Sequence, residues 1–262
     1  MSYRFVLSVI ALLVAITFLP ALRVQTATRS AVAVPQGGAA SAKIPDLSGD
    51  WALDNKKGGI GQSISLSDPG GKLRGKEPDI PYQPWALAKT LSEFPPTGPD
   101  TQYDKTTDPY IKYCEPLGIG RVYMYPARTR FVQTADAVYI LHEQGEQFRV
   151  VRLNSKHPDD PDPQYWGDSI GWYENGDTLV IDSVGFNEKQ WVAGAYPTTN
   201  QLHLVERISR PDLTTLSYEY TVDDPGAYTK TFSGKWTISQ ASASKFIPGG
   251  ELFEYICQDA GR

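Results

Sequence analysis

"DSIGWYENGDTLVIDSV", residues 168 to 184, decides how this chain folds. Asn175-Gly176 sits between two runs of strand length, and both residues tolerate positive φ, so the segment is a β-hairpin. The same pattern surrounds it. "RTRFVQT" and "AVYILHE" flank Ala135-Asp136, and "GEQFRVVRL" follows. "LHLVERIS" and "TTLSYEYTV" flank "RPDL", where Pro211 presets a turn. "TKTFSGKWTIS" and "ELFEYIC" complete the set. Connections are short, so successive strands are expected to pair antiparallel. No run beyond residue 119 has the length and period of a core helix. The expected fold is all-β, an antiparallel up-and-down meander of about eight to ten strands, closed into a barrel because closure removes edges.

The first half of the chain is loop-rich. Residues 54 to 118 abound in Gly, Pro, Asp and Lys, and only "PWALAKTLSEF" (84–94) reads as a helix. Pro84 suits its first turn, Pro95-Pro96 ends it, and Trp85 and Leu91 are its docking residues. At the start, Arg4 precedes the apolar run "FVLSVIALLVAITFL", which Pro20 ends and small residues follow. That is the pattern of a secretory signal, and the run is short of the roughly 20 residues that span a bilayer comfortably. The expected organisation is a signal peptide over 1–33, a Gly/Ala/Pro linker over 34–45 and one barrel domain over 46–262.

The chain of 262 residues carries a formal charge of −5, and removal of the leader takes away Arg4, Arg23 and Arg29. An acidic surface argues against nucleic acid and anionic membranes as partners. The expected location is periplasmic or extracellular, with no stable membrane span after processing. Cys114 and Cys257 are the two cysteines. An isolated pair in an oxidising compartment usually forms a disulfide, and no CxxC offers a metal or redox alternative.

"LSGDWAL" (47–53) places a Gly-x-Trp on the first strand, which resembles the start of lipocalin-like barrels, where the Trp plugs one end. A wider resemblance runs through "DLSGDW", "DPYIKYCEPLG", "HPDDPDPQYWGDSIG", "GDTLVIDSVGFNEK", "LHLVERISRPDLTTL", "TVDDPGAYTK" and "ELFEYIC". Together these are similar to a family of uncharacterised exported bacterial β-rich proteins, over roughly residues 46 to 257. The family pattern has Gly-x-Trp-Glu-Gly-Asp where this chain has "GWYENGD", often His at Asp168, and Pro-Trp at Thr231-Phe232. The resemblance implies export and domain limits, and no mechanism.

Candidate chemistry comes from carboxylates that share a strand face with apolar residues. Glu206 lies with Leu204 and Ile208, Asp182 with Val180 and Val184, and Glu143 with Tyr139 and Leu141. Such a carboxylate must be paired, hydrogen-bonded or raised in pKa, which suits acid/base work. Arg149, Arg152 and Arg207 stand on strands as structural partners. His157, in the loop "HPDDPDP", has the pKa for proton transfer near neutrality, with Glu143 or Asp182 to orient it. The alternative is a ring that caps the loop. His157 should meet Asp182 over one barrel mouth, while Asp177 serves the turn at the other end.

A metal set is incomplete. His157 with Asp159, Asp160 or Asp162 needs a third ligand from His142 or His203, and no EF-hand order links Asp160, Asp162 and Asp168. The expected cofactor is none. Ser169 lacks the strand–turn–helix setting of a nucleophile elbow. Fifteen Tyr, nine Phe and six Trp leave ample aromatic surface. Tyr139, Trp172, Trp191, Tyr218, Tyr220 and Trp236, with Arg149 and Arg207, are the candidate ligand-binding residues; they could equally be core. The expectation is an exported lipocalin-like barrel that takes one small amphipathic or aromatic molecule. If it is catalytic, the expected reaction is a cofactor-free isomerisation, hydration or elimination. The alternatives are a non-catalytic binding protein, including one for carbohydrate, and an envelope interaction protein.

Overall fold

Alternation of buried and exposed side chains builds one ring of strands. A computed structural model describes residues 45–52, 80–93, 109–124, 127–145, 147–189, 191–192, 196–240 and 252–254, all within the unit Ser41–Arg262. The strands in chain order are β1 (Gly49–Ala52), β2 (Thr129–Gln133), β3 (Ala137–His142), β4 (Gln147–Leu153), β5 (Asp168–Glu174), β6 (Thr178–Val184), β7 (Trp191–Val192), β8 (Tyr196–Pro197), β9 (His203–Asp212), β10 (Thr215–Asp223) and β11 (Phe232–Gln240). Helix α1 is Pro84–Glu93, α2 is Pro109–Tyr113, and Arg121–Met124 is a 3₁₀ turn. Nine strands close a barrel in the order β1-β11-β10-β9-β6-β5-β4-β3-β2, and β7 and β8 pair separately. No described helix is long and apolar enough to cross a membrane.

The barrel is mixed, which corrects the antiparallel expectation. β4 and β5 are parallel, in register at Arg152↔Ile170 and Leu153↔Gly171. Parity explains it. Nine strands in a closed ring cannot all alternate direction, so at least one neighbouring pair must run the same way. A parallel pair needs a crossover of a dozen or more residues. Residues 154–167, which contain "HPDDPDPQYWG", are that crossover. They are therefore not a loop over one mouth. They leave β4 at one end of the barrel and return along its outside to start β5 at the other.

The hairpins are otherwise as the sequence indicates. Asn175 and Gly176 have φ of 52° and 75°, the left-handed values that this turn requires. The β9–β10 turn is Leu213-Thr214; Pro211 lies inside β9, beside a register irregularity between Thr215 and Ser217. Leu252–Glu254 is not in a strand, and the rest of "ELFEYIC" lies outside the described residues.

Inward side chains form one buried cluster that includes Phe131, Ile140, Val151, Ile181, Ile208 and Tyr218. Trp51 is fully buried at the end where the hairpin turns lie. Its Nε1 donates to Leu47 O at 2.9 Å, and the Arg210 guanidinium covers its ring at 5.0 Å. Arg210 also donates to Asp46 O at 2.5 Å, which ties the incoming chain across that mouth. At the other mouth, Tyr82, Tyr196, Tyr228 and Phe232 pack edge to face or tilted. Helix α1 docks beside them: Trp85 Nε1 donates to Gly226 O at 2.7 Å, and Leu91's side chain lies outside the described residues. Cys114 ends α2 half-buried, at a φ of 54°. Cys257 and residues 1–44 lie outside the described residues.

Candidate functional site

Three polar or aromatic assemblies stand out. The first lies on the outer wall. Because side chains alternate, Arg152 of β4, Asp168 of β5, Asp182 of β6 and His203 of β9 all face outward on neighbouring strands. The crossover lays His157 onto them. His157 Nδ1 is 2.5 Å from Asp168 Oδ1, and its Nε2 is 3.4 Å from Asp182 Oδ1. His203 Nε2 meets the same Asp182 oxygen at 2.8 Å. Arg152 grips Asp168 with two bonds, of 2.7 and 2.9 Å. Partial burial opposes charge on His157, but hydrogen bonds with Asp182 and Asp168 prevail and raise its pKa above 6.5. Burial works against the Asp182 carboxylate too, yet hydrogen bonds from His157 and His203 hold its pKa well below 3.8. Asp168 is also lowered; Arg152 and His157 outweigh its burial.

An imidazole with a carboxylate at each nitrogen is best satisfied as a double donor. In that form it has no lone pair with which to act as a base. The cluster is thus a charged pin that fastens the crossover to the wall.

The second assembly is inside the barrel. Arg149 Nη1 and Glu206 Oε2 form a fully buried ion pair at 2.5 Å. Arg149 Nε donates to Ser169 Oγ at 2.9 Å, and its Nη2 donates to Ser183 Oγ at 2.6 Å. Tyr218 OH donates to Glu206 Oε1 at 2.8 Å. The Tyr218 and Tyr123 hydroxyls have pKa values pushed up, first by burial and then by the Glu206 charge. His142 faces this network; burial, then the nearby Arg149 charge, pull its pKa down to about 3. It stays a neutral ring, 3.0 Å from Thr129 Oγ1 through Nδ1. Every member is enclosed by core side chains, so the network ties strands together from within.

The third assembly is a groove of about 500 Å³ at the mouth where β4 and β5 begin. The end of the crossover supplies Pro163, Gln164, Tyr165 and Trp166; Pro116, Gln147, Phe148 and Asn187 complete the lining. Phe148 is 63% exposed, the residue on β4 whose outward position leaves an apolar ring in solvent. Trp166 is held from beneath: its ring stacks on His142 with centroids 5.2 Å apart and planes 16° apart. Among the described residues no hydrogen bond engages the Gln147 or Gln164 amides or the Trp166 indole N–H.

The candidate residues are distributed over all three regions. His157 and Asp182 come together on the wall, and Asp177 stays in the turn, where its Oδ1 accepts from Thr178 Oγ1. Glu206 and Arg149 are inside, while Glu143 follows β3, with its backbone N–H bonded to Arg128 O. Tyr218 and Tyr220 are buried in the core. Tyr139, 37% exposed, and half-buried Trp172 are on the outer wall. Arg207 is there too, paired with Glu174 at 2.7 Å. Trp191 is buried under Lys89 of α1, whose Nζ lies 5.5 Å from its ring centroid. The side chain of Trp236 lies outside the described residues.

Sequence reasoning missed Trp166, Phe148, Gln147 and Gln164. The available signals were a Trp at the end of a long loop and a Phe alternating with the inward Arg149. Ser169 is an interior hydrogen-bond acceptor. His142 is inside the barrel and His157 and His203 are outside, so the three do not converge. Among the described residues no group of three His, Cys, Asp or Glu is arranged to hold a metal.

No family model, no curated protein and no solved structure matches this chain.

Proposed function

We propose that this protein is an exported, non-catalytic barrel that binds a small uncharged amphipathic or aromatic molecule at the Trp166 groove, with Cys114 and Cys257 bridged. One observation carries the reading: the His157–Asp182–His203 cluster and the Arg149–Glu206 network both lie apart from the groove's lining. The groove has the size of a small-molecule site and a lining of aromatic rings, prolines and amides. Asp168, Asp182, Glu206, His157 and His203 are held in the wall pin and the interior network, and His142 beneath Trp166 is a buried neutral ring. An acid/base enzyme would bring them to the same recess. Stacking on Trp166, Tyr165 and Phe148 supplies affinity, and the amides and indole N–H supply orientation.

The test is a screen of small neutral and charged compounds by heteronuclear NMR on the mature protein. Hits should shift the Trp166 indole and the Phe148 and Gln147 amide signals, and Phe148→Ala should weaken them about threefold to tenfold. Hits that instead shift His157 and His203, and are chemically turned over, would replace this reading with the acid/base enzyme.

A further inference from the structure

Given the binding reading above, on which this rests, we infer that the groove is a carbohydrate site: its ligand is a neutral sugar ring stacked on Trp166 and hydrogen-bonded by Gln147, Gln164 and Asn187. A sugar has a face of C–H bonds and an edge of hydroxyls, each both donor and acceptor. The groove offers the complement of both. Tyr165, Trp166 and Phe148 supply flat apolar surface to the lining. Primary amides also carry a donor and an acceptor together, so one amide can pair with two neighbouring hydroxyls. The Gln147 and Gln164 side chains make no hydrogen bond among the described residues, so they are available for this.

The platform is rigid and neutral. His142 backs one face of Trp166, whose half-buried side chain lines the groove. The ring beneath carries no charge, because burial in the barrel keeps His142 unprotonated.

Charge does not favour an ionic ligand. Lys189 and Glu115, close to the lining in sequence, are an ion pair 3.4 Å apart. Both also engage the Tyr165 hydroxyl. A carboxylate or ammonium ligand would find no unpaired counter-charge among the groove's lining residues, and would lose hydration for nothing. A purely aromatic ligand would use the rings but leave the amides idle and partly desolvated.

Four probes decide the matter in NMR titrations of the mature protein: cellobiose, methyl glucoside, phenol and benzoate. The expected result is that the saccharides shift the Trp166 indole N–H and the side-chain amide signals of Gln147 and Gln164. Gln164→Ala should weaken cellobiose about threefold to tenfold, the value of one or two hydrogen bonds, and leave phenol unchanged. Phe148→Ala, at a position 63% exposed, should weaken both. Phenol binding at the groove without any saccharide effect overturns the carbohydrate assignment and leaves the binding reading in place. Benzoate as the best ligand also overturns it. Silence from all four probes overturns both.

Discussion

His157 and His142 show how one residue type is put to opposite uses by a few ångströms of placement. His157 lies on the outside between two carboxylates and gains a proton's worth of attraction. Its folded pKa is above 6.5, so its contribution is complete below that value and is lost as pH rises through the folded pKa. Asp168 and Asp182 have depressed values, so their contribution is present above 3.8 and fades as pH falls below it. His142 is sealed in the barrel with a pKa of about 3. The unfolded chain therefore binds a proton below 6.5 that the folded chain refuses, and stability falls there by up to about 1.4 kcal/mol per pH unit. Stability measured by urea titration should peak near neutrality and decline on both sides. His157→Gln should cost about 2 kcal/mol at pH 6, the worth of charge-assisted bonds. It should also flatten the alkaline limb, and soften the acid limb by the part of the Asp168 and Asp182 depression that His157 causes. An unchanged alkaline limb would remove His157 as its cause.

At the scale of elements, the seam between β4 and β5 is, with β1–β11, one of the two shortest ladders among the described barrel strands. Its ladder has two residue pairs, whereas β5 and β6 match at seven. Side chains take over where the backbone stops. Outside, Arg152 reaches from β4 to Asp168 on β5. Inside, Arg149 reaches from β4 to Ser169 on β5, Ser183 on β6 and Glu206 on β9. Arg149→Met strands the Glu206 charge and should destabilise the fold by about 3–5 kcal/mol. Arg149→Met with Glu206→Gln removes that charge yet keeps an acceptor for Tyr218, and should recover much of the loss. Thermal unfolding of the three proteins decides it; a double variant no better than the single one would show that the clasp, not the stranded charge, is what matters. The hairpin β5–β6 was legible because Asn175-Gly176 has few alternative conformations. The crossover was not, because Asp and Pro announce a turn without stating how far the chain travels. Likewise the inward face of β9 was readable by alternation, but its Glu206 shows no sign in sequence of a partner on β4, 57 positions away.

For the whole molecule, closure carries consequences that no single strand shows. Strand lengths and spacing made a barrel legible, and Gly49-x-Trp51 located one plugged end, where Trp51 is buried under Arg210. The groove was not legible, because it is assembled from four stretches far apart in sequence and belongs to none of them. The proposed Cys114–Cys257 bridge would act at this scale, joining the end of α2 to the last residues of the chain. By closing a long loop it should contribute about 2–4 kcal/mol. Intact mass under non-reducing conditions, with alkylation of any free thiols, should find none in protein recovered from an oxidising compartment; two alkylated cysteines would discard the bridge.

The odd number of strands also bears on how chains behave toward one another. A closed ring presents no unpaired backbone edge, and that protects it from joining a neighbour. When the β4–β5 seam parts, it yields two edges at once, β4 and β5, each a template for another copy. The crossover that parity forces on the chain, pinned down by His157, Asp168 and Asp182, covers the wall beside that seam. The pin is therefore a guard on solubility: a chain that has lost it should cluster in concentrated solution while its circular dichroism still reads as folded.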